Sequence, residues 1–516
     1  MTTLLNNYDM VLAVSQDTIN NQFFLLFADG VISNSININY ITGQPQYVLN
    51  ATVNAPTVEM VLNPANPNQL NFNINFASGT FTYVDYSVDP NNVQTADVSN
   101  WVITLLVNLQ QMTINSATPA GLNVSSGAQA ALGNYVGDNA FTVQALFLDF
   151  DNVELSQAII TAAGVQMASN DPRYPWVLAS LQRLIASLKT SGNPYILGFH
   201  ASSNNPTQTN PQLPALAPTS VQFISNQYTY SNGSQPPADD GLSCLCYLSM
   251  TGTDPLPYPD GKEPTFVWNP IPSASVQGRM FIDANAFNSG FIQSLVLPVL
   301  QNAMNTQGSW TQTGNSWTLD YKFDDSDQND GHGPMIQGGL INTYQVSTTE
   351  NFCTIALDTA NSTANQLVYN GSGFFYQAYD YYQQPLDIWT HIAWASNKLP
   401  FTFTLTISAG ASATLLVTFT PTLGTAEQNN GENPLIKIGD VLAGLFTNNI
   451  QDLLDAINAD GKNFENYEFS TFSTNAGAGF QGLSEQLILP APQQFYYSNI
   501  GLNSENDVVL DIGYKS

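Results

Sequence analysis

Leu70-Asn71-Phe72-Asn73-Ile74-Asn75-Phe76 alternates apolar and amide side chains without a break, and after Ala77-Ser78-Gly79 the alternation resumes at Phe81 and Tyr83. Successive side chains of a strand point to opposite faces, so this run predicts strands with one dry and one wet face. Ala77-Ser78-Gly79 reads as the turn of a long antiparallel hairpin over 70–88. The design recurs far downstream. Phe401, Phe403, Leu405 and Ile407 alternate with threonines, Ser408-Ala409-Gly410 turns the chain, and Leu415, Val417 and Phe419 return. Further strands are expected over 102–109, 141–150, 219–230, 242–250 and 351–357. Each dry face needs a cover.

Four segments break the two-residue period and supply that cover. The first, over 7–29, carries Tyr8, Val11, Leu12, Ser15, Ile19, Phe23, Leu26 and Phe27 on one stripe, with Gly30 in the stop position. The second opens at Asp171-Pro172 and carries Val177, Leu181, Leu184, Ile185 and Leu188 before Gly192. A third spans 283–304, with a kink expected at Pro298. The fourth, 438–457, places Val441, Leu442, Leu445, Ile450, Leu453, Leu454 and Ile457 in register. Helix 7–29 precedes one long hairpin and helix 283–304 precedes the other. Two similar halves are therefore expected, 1–265 and 266–516, separated by a Pro-rich polar stretch. The fold class is α+β and β-rich, with long antiparallel sheets wrapped around long amphipathic helices.

The 516 residues include 39 acidic and 10 basic ones, a net charge of -29, yet only 9% are charged and 43% are hydrophobic. That apolar content excludes disorder. The first Lys or Arg is Arg173, and the ten basic residues are scattered as far as Lys515. Phosphate neutralisation needs clustered cations, so nucleic acid is excluded as a partner, and so is polybasic docking on anionic lipid. No stretch of 18 apolar residues occurs, so no transmembrane helix is expected. No basic leader precedes an apolar run at the start, so no signal peptide is visible and localisation stays unknown. Cys244, Cys246 and Cys353 are too few for a disulfide framework, and the first two share a strand face, so all three are expected reduced.

No catalytic setting surrounds His200, His332 or His391, and no metalloprotease, esterase or phosphate-loop motif occurs. Gly477-Ala478-Gly479-Phe480-Gln481-Gly482 matches a dinucleotide pattern, but Pro490 cuts short the run from Leu483 to Leu489, so a flexible glycine loop is expected. Asp324, Asp325, Asp327, Asn329 and Asp330 fail the calcium-loop template, which needs Gly at the sixth position and Glu at the twelfth; read from Asp325, these are Asp330 and Ile336. Asp149, Asp151 and Glu154 crowd a strand end with no basic partner nearby in sequence, so water is expected to relieve them. No cofactor, no metal and no enzymatic activity are expected. The aromatics Phe374, Phe375, Tyr376, Tyr379, Tyr381, Tyr382, Trp389 and Trp394 suit core packing or a binding surface.

The opening run Tyr8-Asp9-Met10-Val11-Leu12-Ala13-Val14-Ser15-Gln16-Asp17-Thr18-Ile19-Asn20-Asn21-Gln22-Phe23 and the later start Gly278-Arg279-Met280-Phe281-Ile282-Asp283 resemble the entries to tubular lipid-binding (TULIP) domains. Within that superfamily the sequence is most similar to the clostridial forty-seven-kilodalton protein family of botulinum neurotoxin gene clusters. The resemblance implies an apolar groove between a long helix and a curled sheet. Its expected lining is Val11, Ile19, Phe23, Leu26, Phe72, Ile74, Phe76, Phe291 and Leu295. It further implies a non-enzymatic binding protein for lipid or an apolar partner segment, acting as a bacterial toxin or as a protein of a toxin complex. Many lipid-binding members carry basic residues near the groove mouth, and the first 172 residues here carry none. A pore-forming or adhesive insecticidal β-rich protein and a carbohydrate-binding surface protein are the alternatives.

The failed calcium template has a direct consequence: millimolar calcium should leave the unfolding temperature nearly unchanged. A rise that vanishes in Asp325→Ala and Asp327→Ala would contradict it.

Overall fold

The computed structural model describes residues 4–61, 68–89, 91–137, 139–230, 241–258, 264–306, 308–320, 335–337, 343–363, 365–383, 388–407, 415–421, 431–432, 455–491 and 494–515. The acidic stretch 324–330, His332, the turn at 408–410 and the helix expected over 438–454 lie outside them.

Three antiparallel sheets organise the described residues. The central one runs in the order Pro218–Asn226, Cys244–Thr251, Met10–Ser15, Gly278–Ile282, Val508–Lys515, Gln494–Leu502. Its two middle strands, Met10–Ser15 and Gly278–Ile282, pair antiparallel from Met10 opposite Ile282 to Val14 opposite Gly278. A larger sheet curls through Ser35–Asn39, Val48–Val53, Gln69–Val84, Val102–Ile114, Phe141–Asp149 and Ile196–Ser203, and the late strand Leu487–Ile488 joins its end. The third runs through Ser309–Thr313, Ser316–Asp320, Thr343–Leu357, Gln366–Gln383, Ile388–Ile407 and Leu415–Pro421.

Each opening strand feeds a helix. Ser15 caps Gln16–Ala28, its hydroxyl accepting from the Thr18 N–H at 3.2 Å. Asp283 caps the second helical run in the same way, accepting from Asn285 and Ala286. That run passes through Ala284–Phe287, a π-helical stretch Asn288–Val296, and Leu297–Ala303 with Pro298 in its first turn. Pro298 has no N–H to give the preceding turn, and the π-helical stretch lies directly before it.

Four sequence expectations are corrected. The first helix begins at Gln16, not at residue 7, because Met10–Ser15 is a strand with both faces covered. Val11 and Ala13 pack in an outer core with Tyr8, Cys246 and Phe281, while Met10 and Val14 join the main core on the other face. A doubly buried strand reads as a continuous apolar run, which periodicity cannot separate from helix. The turn expected at Ala77-Ser78-Gly79 is absent, since Gln69–Val84 is one strand. Gly79 sits at φ +141 where a Cβ would collide with the Asn50 carbonyl oxygen, so this glycine marks a close strand approach beside a bulge. The glycine loop at 477–482 lies inside the helix Ser470–Glu485. There a Cβ on Gly479 would lie 2.5 Å from Leu213 Cγ, so the small residues permit tight packing. Finally, Asp151 has a basic partner, Lys189, with Nζ 2.5 Å from Oδ1, and Asp149 accepts from the Asp151 N–H and the Asn152 amide.

Two further elements agree with the sequence reading. The helix Tyr174–Ser191 ends at Gly192 with φ +90, and the pairing of Phe401 through Ile407 with Leu415–Pro421 is the expected downstream hairpin. Cys244, Cys246 and Cys353 are free and buried.

Two substitutions test this packing. Gly79→Val meets both a disallowed φ and the neighbouring strand, and should cost roughly 2–4 kcal/mol in chemical denaturation; an unchanged midpoint would refute the close approach. His200 is fully enclosed in Ile196–Ser203, and burial pushes its imidazole down from 6.5 to about 3. Below pH 6.5 the unfolded chain takes up a proton that the folded chain refuses until about pH 3, so this residue's contribution to stability falls as pH falls through that window. His200→Phe should therefore lose stability less steeply than the wild type between those limits, by up to about 1.4 kcal/mol per pH unit. Parallel pH profiles of the two proteins would show the imidazole is not the cause.

Candidate functional site

The main core is continuous between the helices and the sheets. Ile19, Phe23 and Leu26 cover one face of Gln16–Ala28, and Phe72, Ile74 and Phe76 cover the inner face of Gln69–Val84; all six are buried in it. Each large side chain so buried contributes about 1.5–3 kcal/mol. The helix is also fastened by neutral amides. Gln16 Oε1 accepts from the Met60 N–H at 2.8 Å, and Asn20 both accepts from Val58 N–H at 2.7 Å and donates to its carbonyl at 3.1 Å. Gln22 Oε1 accepts from the Ala491 N–H. Val11 lies in the outer core across the central sheet, Phe291 is buried with Phe287, Phe403 and Phe480, and Leu295 is half-buried within the second helical run.

A groove of about 290 Å³ opens where the helix Tyr174–Ser191 crosses the strand Ser35–Asn39. Leu184 and Leu188 form its helical wall, Ile36 and Ile38 its strand wall, and Ile74 and Tyr195 its floor. Behind Tyr195 stand two of the core aromatics, with ring centroids 4.7 Å away at Phe72 and 6.2 Å away at Phe23. Of the residues expected to line a groove, Ile74 borders this opening directly, and Phe23 and Phe72 back it.

The helical wall is built locally. Asp171 grips the Arg173 guanidinium at 2.9 and 2.6 Å just before the first turn, Lys189 lies in the last turn, and Gly192 reverses the chain. Tyr47 stacks on Trp176 of the same helix with centroids 5.5 Å apart, and Tyr40 meets Tyr47 edge-on. Among the described residues, none that lines the groove is ionisable at neutral pH. Burial pushes the Tyr195 phenol up to about 12, so it stays neutral as well. The two cations on the same helix are engaged elsewhere, Lys189 with Asp151 and Arg183 with Thr42. The lining also carries serine hydroxyls and asparagine amides, among them Ser33, Asn37 and Asn123, so the cleft combines an aliphatic wall with neutral polar groups and offers no charge to pair with an anion.

Leu184 and Leu188 were legible as a helical stripe, but not as a wall. Ser35-Ile36-Asn37-Ile38-Asn39 carries the same alternation as Leu70 to Phe76, which is the signal that identifies the opposite side. Among the described residues no group of His, Cys, Asp and Glu is placed to hold a metal ion. No helix among them is long and apolar enough to cross a membrane.

No protein-family model and no curated protein matches the chain. Among solved structures it is similar to P47 of Clostridium botulinum E1, with a TM-score of 0.47 and 14% identity over 98% of both chains. It is similar to P47 from Clostridium botulinum A2, with a TM-score of 0.48 and 12% identity over 98% of this chain and 96% of that one. Its likeness to lipopolysaccharide binding protein has a TM-score of 0.30 and 9% identity over 99% of both chains. Met10–Ser15 and Gly278–Ile282 each feed a helix, and with three antiparallel sheets packed beside those helices the chain has a β-rich fold.

Proposed function

We propose that the chain is a non-enzymatic binding protein of TULIP type, made of the halves 1–265 and 266–516, whose site is the groove between Tyr174–Ser191 and Ser35–Asn39. The occupant is an acyl chain, or an apolar side chain of a partner segment. The observation that carries this reading is the absence of any charged residue from the groove lining, over a floor that continues into the core through Tyr195, Phe72 and Phe23. Affinity then comes from buried apolar area, at about 25 cal/mol per Å², and salt has little to screen. A place in a bacterial toxin complex rests on the family resemblance of the two opening segments, and the partner there would be a protein of that complex.

Native mass spectrometry and lipid extraction of the purified protein, repeated at low and high salt, should reveal bound acyl chains in similar amounts. Leu188→Trp fills the groove from its half-buried wall and should lower uptake of a fluorescent fatty acid at least about tenfold. Phe24→Ser, on the exposed face of the first helix, should leave it unchanged. If no acyl chain co-purifies or binds, or if Leu188→Trp binds as the wild type does, the acyl reading is wrong.

A further inference from the structure

The outer face of the central sheet carries a second concavity, on the opposite side from the core. Arg279 and Phe281 lie two apart in Gly278–Ile282 and so share that face, and Phe281 packs there in the outer core. The register aligns Arg279 with Asp511, and Asp511 with Asn499 on the next strand. These three residues, with Trp268, border a groove of about 760 Å³ whose rim includes Thr363 and Ser504. That volume lies within the usual range of small-molecule sites, about 300–1,000 Å³.

The hydrogen-bonding inventory of this row is unbalanced in an informative way. Arg279 donates through Nε to Asp511 Oδ1 at 2.6 Å, and Asn499 donates through Nδ2 to Asp511 Oδ2 at 3.1 Å. Both carboxylate oxygens are thus occupied and the charge of Arg279 is cancelled. The two Nη groups of Arg279 have no partner among the described residues, and Asn499 Oδ1 is buried with none. A buried carbonyl oxygen left unpaired destabilises the fold unless something supplies a donor. Trp268 is held by its Nε1–H donating to the Leu4 carbonyl at 2.9 Å and by an edge contact with Phe281 at 4.8 Å.

We propose that this groove binds a neutral saccharide. The juxtaposition of spare donors on Arg279, a spare acceptor on Asn499 and a fixed indole asks for a ligand with groups that both donate and accept, next to an apolar C–H face. Hydroxyls do the first and a pyranose ring supplies the second. An anion is disfavoured because the local cation is already neutralised in a chain of net charge -29. The site is independent of the acyl groove and stands or falls without it.

The test uses the full chain against glucose, galactose, mannose, N-acetylglucosamine, maltose, cellobiose and lactose at millimolar concentration, by saturation-transfer NMR and calorimetry. At least one should bind, slow hydrogen exchange at 499–506 in the wild-type protein, and perturb Trp268 emission. Asn499→Leu removes the spare acceptor, and Arg279→Lys keeps the charge but loses the Nη pair; each should weaken binding at least about tenfold. Leu188→Trp should bind the sugar as the wild type does, which separates this site from the acyl groove. Melting curves identify any variant that fails to fold, and the exchange measurement needs no variant. The proposal is overturned if no sugar binds, if binding leaves exchange at 499–506 unchanged, if it persists undiminished in a folded Asn499→Leu or Arg279→Lys, or if inorganic phosphate or acetate displaces it.

Discussion

A chain with almost no cations must join helix to sheet by something other than ion pairs, and here neutral amides do it. Gln16, Asn20 and Gln22 on the first helix bond the backbones of Met60, Val58 and Ala491, two of these on the strand beside the helix and one from the far end of the chain. Each such bond contributes about 0.5–1.5 kcal/mol net, but leaving its buried partner unmet would cost more. The curled sheet takes its position from that helix, and the groove takes its position from the sheet. Composition and architecture are therefore one constraint: abundant Asn and Gln can dock elements in the first 172 residues, where no Lys or Arg exists.

The central sheet divides the molecule chemically. Its inner face closes the main core that runs between both helices, while its outer face carries Tyr8, Val11, Cys246 and Phe281 under a separate cover. Met10–Ser15 is the hinge of this division, because its alternate side chains serve different cores. The carboxyls of Asp9 and Asp507 gather around the caps of the seam. Burial raises both, and the charge of Asp283 between them adds to it. Hydrogen bonds from Thr251 to Asp9 and from Ala284 to Asp507 hold these acids in place as backbone caps. Of the ion pairs among the described residues, Arg279–Asp511 belongs to this sheet and orders its outer surface, whereas Lys189–Asp151 is exposed and adds little.

Function derives from where charge is missing. A lipid groove with basic residues at its mouth selects anionic headgroups, and the groove beside Tyr174–Ser191 has no such filter. The outer groove works by the opposite means, through a row of paired polar side chains with two unspent hydrogen-bonding capacities. The two concavities lie on different sheets, the first beside Ser35–Asn39 of the larger curled sheet and the second on the outer face of the central one.

The alternation of Phe72, Ile74 and Phe76, the stripe of Tyr174–Ser191 and the downstream hairpin were determined by the sequence alone, because side-chain period is a local property that burial on one face writes directly into the residues. Only tertiary structure decided the rest. Residues 10–15 became a strand because partners on both sides bury both faces, and such burial erases the period. Gly79 became a close approach instead of a turn because the strand Val48–Val53 lies against it. The glycines at 477–482 lie in a helix, and Leu213 packs where a side chain on Gly479 would be. In each case the deciding atoms lie far away along the chain, and no local pattern can carry them.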